Sequence, residues 1–331
     1  MSADQSMEEL LSTYFSLMST NGASRVYRTA LETGMVDSLL DAPKTLDEIA
    51  SSCGVVPGVT TFVLEVLKAM GVVSFDESQY ALTPVASMLL RSDYRTLGDE
   101  YWDHLKPFLK DGVPLKRMDD AEESEGHYVT QAAALRWMLG PAAEAAAETL
   151  SIGQERKDLQ ILDVGAGSAI WSLCFASKDP GTHVTVIDWP SVCDLASKTA
   201  EDMEIAHRLN RIEGNYHDVT IPDQRFDMVI IANVTHLETE DGNQSLFTKL
   251  YKSIKPGGEI LIIDIFPGDS RGDLQRTLYT LGLALRTEQG AVHSEEALNR
   301  LLQDVGFEKA CLRSLPVTPH TMGVLIAKRP A

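Results

Sequence analysis

The sequence predicts an α/β chain: a mainly helical N-terminal part followed by a mostly parallel sheet. Three observations predict it. Residues 159–170 read as a buried strand, a glycine turn and the start of a helix. Strand-like and helix-like segments then alternate as far as Asp264, which in one sheet means parallel strands with right-handed crossovers. Ahead of about residue 92, apolar residues recur at helical spacing and are interrupted by a single hairpin-like pair.

In chain order, Ala23, Val26, Tyr27, Ala30 and Leu31 share one helical face, and Gly34 fits a C-terminal cap. Thr45-Leu46-Asp47-Glu48 has the capping-box form. A helix over 57–70 is expected to bury Val59, Phe62, Val63, Val66, Leu67 and Met70, and Gly71 ends it. Residues 72–75 and 80–82 read as a hairpin, and Thr83-Pro84 opens another helix. Helix, helix, hairpin is the winged-helix order. It raises DNA binding, but the expected exposed residues Thr60, Thr61, Glu65 and Lys68 hold one cation and one anion, so a protein–protein role is the better reading.

Residues 93–118 are irregular and aromatic, and 119–126 is an acidic stretch expected to be a solvated loop. Residues 128–150 read as an Ala-rich helix interrupted at Gly140-Pro141, a lid or bridge whose Tyr128, Arg136, Trp137 and Met138 face a substrate or simply pack. Next come a strand over 183–188, a helix over 192–209, a short strand over 211–216 and a strongly buried strand over 226–232. A helix over 244–254, a turn at 255–258 and a strand over 259–264 follow. Two last strands near 310–315 and 321–327 make an edge hairpin and bring the sheet to seven strands. The expected division is 1–92, 93–150 and 151–331.

The chain has 331 residues and a net charge of −19, an acidic balance that argues against nucleic acid and anionic membranes as partners. No apolar run reaches membrane-spanning length, and Met1-Ser2-Ala3-Asp4 lacks a basic-then-apolar signal pattern. Cys53, Cys174, Cys193 and Cys311 are scattered without metal-ligand spacing. A cytoplasmic protein with reduced thiols and no metal is expected.

Gly165 and Gly167 let a ligand approach backbone closely, beside the free N–H groups of the next helix. Asp188 ends the following strand, where an acid can take both hydroxyls of a ribose. A dinucleotide site wants a third glycine, but that position is Ile170. Asp163 instead stands two residues before Gly165, in an Asp-x-Gly-x-Gly pattern. Ligands in such sheets sit beyond the carboxyl ends of the strands. That rule selects Asn233 and His236 after the 226–232 strand, and Asp264. If those last two strands are neighbours, His236 and Asp264 share a crevice. Histidine can take a proton from a hydroxyl, and a carboxylate behind it fixes the tautomer. The bland alternative is a loop histidine capping the next helix.

On these motifs the chain resembles the class I S-adenosylmethionine (SAM) methyltransferases. More closely, it resembles the two-domain small-molecule O-methyltransferases of the caffeate and hydroxyindole type, and it does so over nearly its whole length. The resemblance implies a Rossmann-like SAM domain behind a winged-helix dimerisation domain, and a homodimer formed through the latter. It implies SAM as cofactor, S-adenosylhomocysteine as product, no metal, and a small, aromatic, hydroxylated substrate. It places the catalytic base at His236, in His236-Leu237-Glu238-Thr239-Glu240-Asp241, with Asp264 as the orienting acid. Asp163, Gly165, Gly167, Asp188, Trp189, Asn215, Tyr216 and Asn233 become the cofactor residues. This chain departs from the family at three points: Val292 replaces a second acid, Asn215 an aspartate, and Ala232 a lysine. Methylation at nitrogen or carbon, or a non-methylating use of SAM, stays open within the fold. A winged-helix regulator that senses a ligand is the reading from another class.

Overall fold

A computed structural model describes residues 6–267, 273–317 and 322–331. The chain divides into two compact units, Met1–Glu100 and Tyr101–Ala331. The stretch 93–150, expected as one linker, is therefore shared between them.

The first unit holds α1 (Met7–Glu32), α2 (Leu46–Cys53), α3 (Pro57–Ala69), the strands β1 (Val73–Asp76) and β2 (Gln79–Leu82), and α4 (Pro84–Leu90). The capping box at Thr45 and Glu48 forms, and the Thr83 hydroxyl caps α4. Asp76 pairs with Gln79, leaving Glu77 and Ser78 as a two-residue turn with φ 45° and 72°, which suits the twist of a hairpin. Tyr27, Ala30, Leu64, Leu67, Val73 and Tyr80 pack in one core.

The burial expected for α3 is wrong in part. Thr60, Leu64 and Leu67 face inward, while Val59 and Phe62 are 61% and 72% exposed, and Val66 and Met70 are exposed too. The helix is apolar on more than one arc, so periodicity alone cannot say which arc is covered. Thr60 tolerates burial because its hydroxyl donates to the Val56 carbonyl, 2.9 Å away. On α1, Leu10, Leu11, Tyr14, Phe15, Leu17 and Met18 are exposed as well.

The second unit departs from the sequence reading at its start. Residues 93–118 contain a helix, α5 (Asp99–Asp111). Tyr101, Trp102, Leu105 and Phe108 form its half-buried face, and the exposed Pro107 had disguised it. Then α6 (Ala121–Thr149) begins inside the acidic stretch expected as a loop and passes Gly140-Pro141 without a break. A proline inside a helix costs about 3 kcal/mol. Burial of Ala142, Ala143, Ala146, Ala147 and Leu150 in the main core offsets that cost. Packed on the next two helices, α6 is a wall of this unit.

Next come β3 (Gln160–Val164), α7 (Ile170–Lys178), β4 (His183–Asp188), α8 (Pro190–Asp202), β5 (Leu209–Glu213) and β6 (Phe226–Ala232). Then follow α9 (Glu240–Ser253), β7 (Ile254–Ile265), α10 (Leu274–Ala284), α11 (Glu295–Val305), β8 (Cys311–Ser314) and β9 (Met322–Lys328). The helix expected over 192–209 stops at Asp202, and Leu209 already opens β5. Residues 255–258, expected as a turn, lie within β7 as an irregularity: Phe226 pairs with Ile254, but Met228 pairs with Glu259.

The seven strands lie in the order β5-β4-β3-β6-β7-β9-β8. β3 to β7 are parallel, and β9 runs antiparallel between β7 and β8. Thr321, expected in the last strand, lies outside the described residues. One face of β3 sends Ile161 into one core, and the other sends Leu162 and Val164 into a second. The chain reverses its direction of winding between β4 and β6, on either side of β3, which opens a crevice at their carboxyl ends.

The four cysteines are free thiols. Burial pushes Cys174 up to about 12 and Cys193 up to about 11, so both stay protonated. Among the described residues no single helix is long and apolar enough to cross a membrane.

Candidate active site

A cavity of about 270 Å³ opens at the carboxyl ends of β3, β4 and β6. Its floor is the bend after β3. Gly165 and Gly167 have φ of 63° and 56°, a region that glycine enters without cost. A Cβ on Gly165 would lie 2.6 Å from a methyl of Val234, so this bend must carry bare backbone.

Asp188 braces the bend from β4. One carboxylate oxygen accepts from Gly167 N–H and the other from Trp189 N–H, each at 2.8 Å. Burial pushes its carboxyl up to about 6, against the pull of these two donors. Each oxygen retains a lone pair for a further donor. Trp189 lines the cavity and stacks on Tyr128 of α6, with ring centroids 6.0 Å apart. Of the other α6 residues in question, Arg136 pairs with Asp202, Met138 is exposed, and Trp137 has a buried indole N–H without a partner.

Asn215, Tyr216 and Asn233 also line the cavity. Asn233 takes φ 58°, and its N–H donates to Ile263. Asp163 is different. It is buried behind the bend, accepts a 2.5 Å hydrogen bond from Ser172 on α7, and does not line the cavity. Burial pushes its carboxyl up to about 7.

β6 and β7 are neighbours, and His236 and Asp264 meet at their ends. The imidazole Nδ1 lies 2.8 Å from Asp264 Oδ1, and both side chains are buried. Thr235 Oγ1 and Ile265 N–H also donate to this carboxylate, at 2.7 and 2.8 Å. Burial opposes its charge, but the imidazole and the other donors hold the carboxyl below the usual range. With Nδ1–H given to Asp264, Nε2 keeps the lone pair. His236 is not on the cavity wall, although its neighbours Val234 and Leu237 are. Its ring meets Tyr279 of α10 edge-on, with the phenol oxygen 3.4 Å from both nitrogens. Next to Val292, Ala291 N–H donates to the His236 carbonyl.

Sequence reasoning missed Tyr279 and Glu238. Glu238 lines the cavity and accepts from the Tyr216 hydroxyl at 2.7 Å. A tyrosine in mid-helix and a glutamate in a loop carry no signal until the fold brings their partners in. Among the described residues, no three or more His, Cys, Asp or Glu side chains are grouped to hold a metal ion.

Two family models match the chain: an O-methyltransferase dimerisation domain over residues 15–92 and an O-methyltransferase domain over residues 146–308. The chain belongs to the O-methyltransferase family. As such it is a SAM-dependent enzyme. Acetylserotonin O-methyltransferase of Bos taurus is 27% identical over 336 residues, covering 92% of this chain and 94% of that protein. L-tyrosine C(3)-methyltransferase of Streptomyces lavendulae is 22% identical, covering 93% and 90%. The solved structure of human N-acetylserotonin methyltransferase with SAM has the same fold, at a TM-score of 0.72 and 22% identity over all of both chains. An O-methyltransferase family protein from Burkholderia thailandensis has it too, at a TM-score of 0.74 and 18% identity over 99% of both chains.

Proposed function

We propose that this O-methyltransferase methylates a hydroxyl of a small aromatic metabolite, with His236 as general base and Asp264 orienting it. The carrying observation is the buried 2.8 Å contact between His236 Nδ1 and Asp264 Oδ1 at the ends of adjacent strands. SAM, when bound, supplies a methyl group on a sulfonium for in-line displacement. The residues of the cavity fit such a cofactor. The bend has no room for a side chain at Gly165 and offers backbone, Asp188 has acceptor capacity for a ribose, and Trp189 and Tyr216 offer aromatic faces to a base.

The protein's own part is to align and to move one proton. Alignment can contribute roughly 7–11 kcal/mol. A phenol of pKa about 10 is a poor nucleophile at neutral pH. His236 Nε2 takes its proton, and Asp264 stabilises the imidazolium that results. The Tyr279 hydroxyl lies 3.4 Å from both ring nitrogens, beside the base. Apolar Leu135, Leu139, Ile170 and Trp171 in the cavity lining support an aromatic acceptor. Two copies pair through the exposed apolar residues of α1 and α3, consistent with the dimerisation model.

Methylation at carbon is a second reading, favoured by the relative named for that reaction. The same base would activate a phenol ring through its hydroxyl. Incubation with methyl-labelled SAM and a panel of hydroxylated aromatics, read by mass spectrometry and NMR, tests both readings. Label on oxygen supports the first and label on a ring carbon the second. No uptake of S-adenosylhomocysteine in calorimetry would sink both.

A further inference from the structure

We infer that Glu238 is a positioning residue for the nucleoside end of the cavity, holding the Tyr216 ring against the glycine bend. The inference rests on the reading of this cavity as the SAM site. The family's aspartate at position 215 is absent, and Asn215 spends its side-chain oxygen on His217 N–H, 2.9 Å away. The acidic group bonded to Tyr216 and His217 is Glu238 instead. Its Oε1 accepts from the Tyr216 hydroxyl at 2.7 Å and contacts His217 Nε2 at 2.8 Å. All three residues line the cavity. The Tyr216 ring edge stands 3.8 Å from where a Cβ on Gly165 would be, so the ring lies directly against the bend.

The arrangement is built from both sides. Lys249 of α9 donates to the Tyr216 and His217 carbonyls, each at 2.8 Å. The second carboxylate oxygen of Glu238 sits where Gly242 has no side chain, since a Cβ there would come within 2.3 Å of it. His293 Nε2 meets the Glu238 carbonyl at 2.9 Å and steadies its backbone. Burial raises the cost of the Glu238 charge, yet His217 and the Tyr216 hydroxyl hold its carboxyl below the usual range. A half-buried ionised acid whose one oxygen gathers two cavity-lining rings fixes both rings together. A fixed aromatic face binds a flat purine without first being ordered. Charge lost at 215 is thus recovered at 238, but spent on holding the wall.

The test is calorimetry of S-adenosylhomocysteine with wild type, Glu238→Ala, Glu238→Gln, Tyr216→Phe and the double variant Glu238→Ala/Tyr216→Phe. Glu238→Ala should weaken binding about 10–100-fold, the range expected when a buried hydrogen-bonding group loses its partner. Glu238→Gln, which keeps an acceptor oxygen, should recover most of that loss. The double variant should bind no worse than Glu238→Ala alone, because both changes break one contact. In turnover, KM for SAM should rise by a larger factor than kcat falls. Wild-type affinity in Glu238→Ala, additive losses in the double variant, or a kcat loss matching the affinity loss would each overturn the positioning role. If wild type itself takes up no S-adenosylhomocysteine, the cofactor reading fails first and this inference falls with it.

Discussion

His236 and Asp264 lie 28 residues apart in sequence and 2.8 Å apart in space. The contact exists because β6 and β7 pair in parallel, so that the residues just past one strand meet the last residues of the other. If the imidazole is the base, His236→Ala should lower kcat by about 10²–10⁴-fold. Affinity for S-adenosylhomocysteine should stay within about twofold of wild type, because the side chain does not line the cavity. Asp264→Asn should fall in the same direction by a smaller factor. Single-turnover kinetics with a hydroxylated acceptor measures both, and full activity in His236→Ala would remove the base from the mechanism.

Cofactor affinity should depend on pH through Asp188. Its carboxyl is pushed up to about 6 by burial, and ribose hydroxyls donating to it would favour the ionised form. Binding is then full above about pH 6 and weakens below it, approaching tenfold per pH unit. Calorimetry of S-adenosylhomocysteine from pH 5 to 8 should find this slope in wild type and lose it in Asp188→Asn. A flat wild-type profile contradicts the assignment.

Stability should carry an opposite dependence from Asp163. Its carboxyl rises to about 7 in the folded protein from an ordinary value of 3.8. A raised acid binds its proton more tightly in the folded state, so its contribution is fully present below pH 4 and is lost as pH rises through about 7. Melting temperature should therefore fall between pH 5 and 8 more steeply in wild type than in Asp163→Asn. Parallel curves would mean that the carboxyl ionises at its ordinary value.

Gly165→Ala should destabilise the second unit. A left-handed backbone costs a non-glycine residue roughly 1–2 kcal/mol, and overpacking a filled site costs about 1–3 kcal/mol more. The clash is with Val234, so the double change Gly165→Ala/Val234→Ala should recover the packing part and leave the backbone part. Thermal melts of the single and double variants separate the two costs.

Phe62→Glu, 72% exposed on α3, should convert a dimer to monomers in sedimentation without lowering the melting temperature of the monomer. An unchanged dimer places the interface elsewhere.

The parts legible in the sequence are those with local rules behind them. The bend at Gly165 and Gly167 could be read because glycine enters such a turn without cost and the flanking strand is mostly apolar sequence. His236 and Asp264 could be paired because parallel strands deliver their carboxyl ends to one edge. What escaped was decided by tertiary packing. Pro141 looked like a break until the buried alanines beyond it held α6 together. Val59 and Phe62 looked like core because nothing local distinguishes an arc that faces its own unit from one that does not. Glu238 was invisible because its partners at 216 and 217 arrive from another strand.

The strand that flanks Asp264 on its far side is β9, which sets Gly323 opposite it. Side chains are excluded there too, since a Cβ on Gly323 would lie 2.9 Å from Leu312. A larger residue at 323 would have to displace Leu312 of β8, so the neighbour of the acid's strand is set by close packing at the sheet edge. The strand that carries the orienting acid and the edge hairpin beyond it are thus packed as one piece.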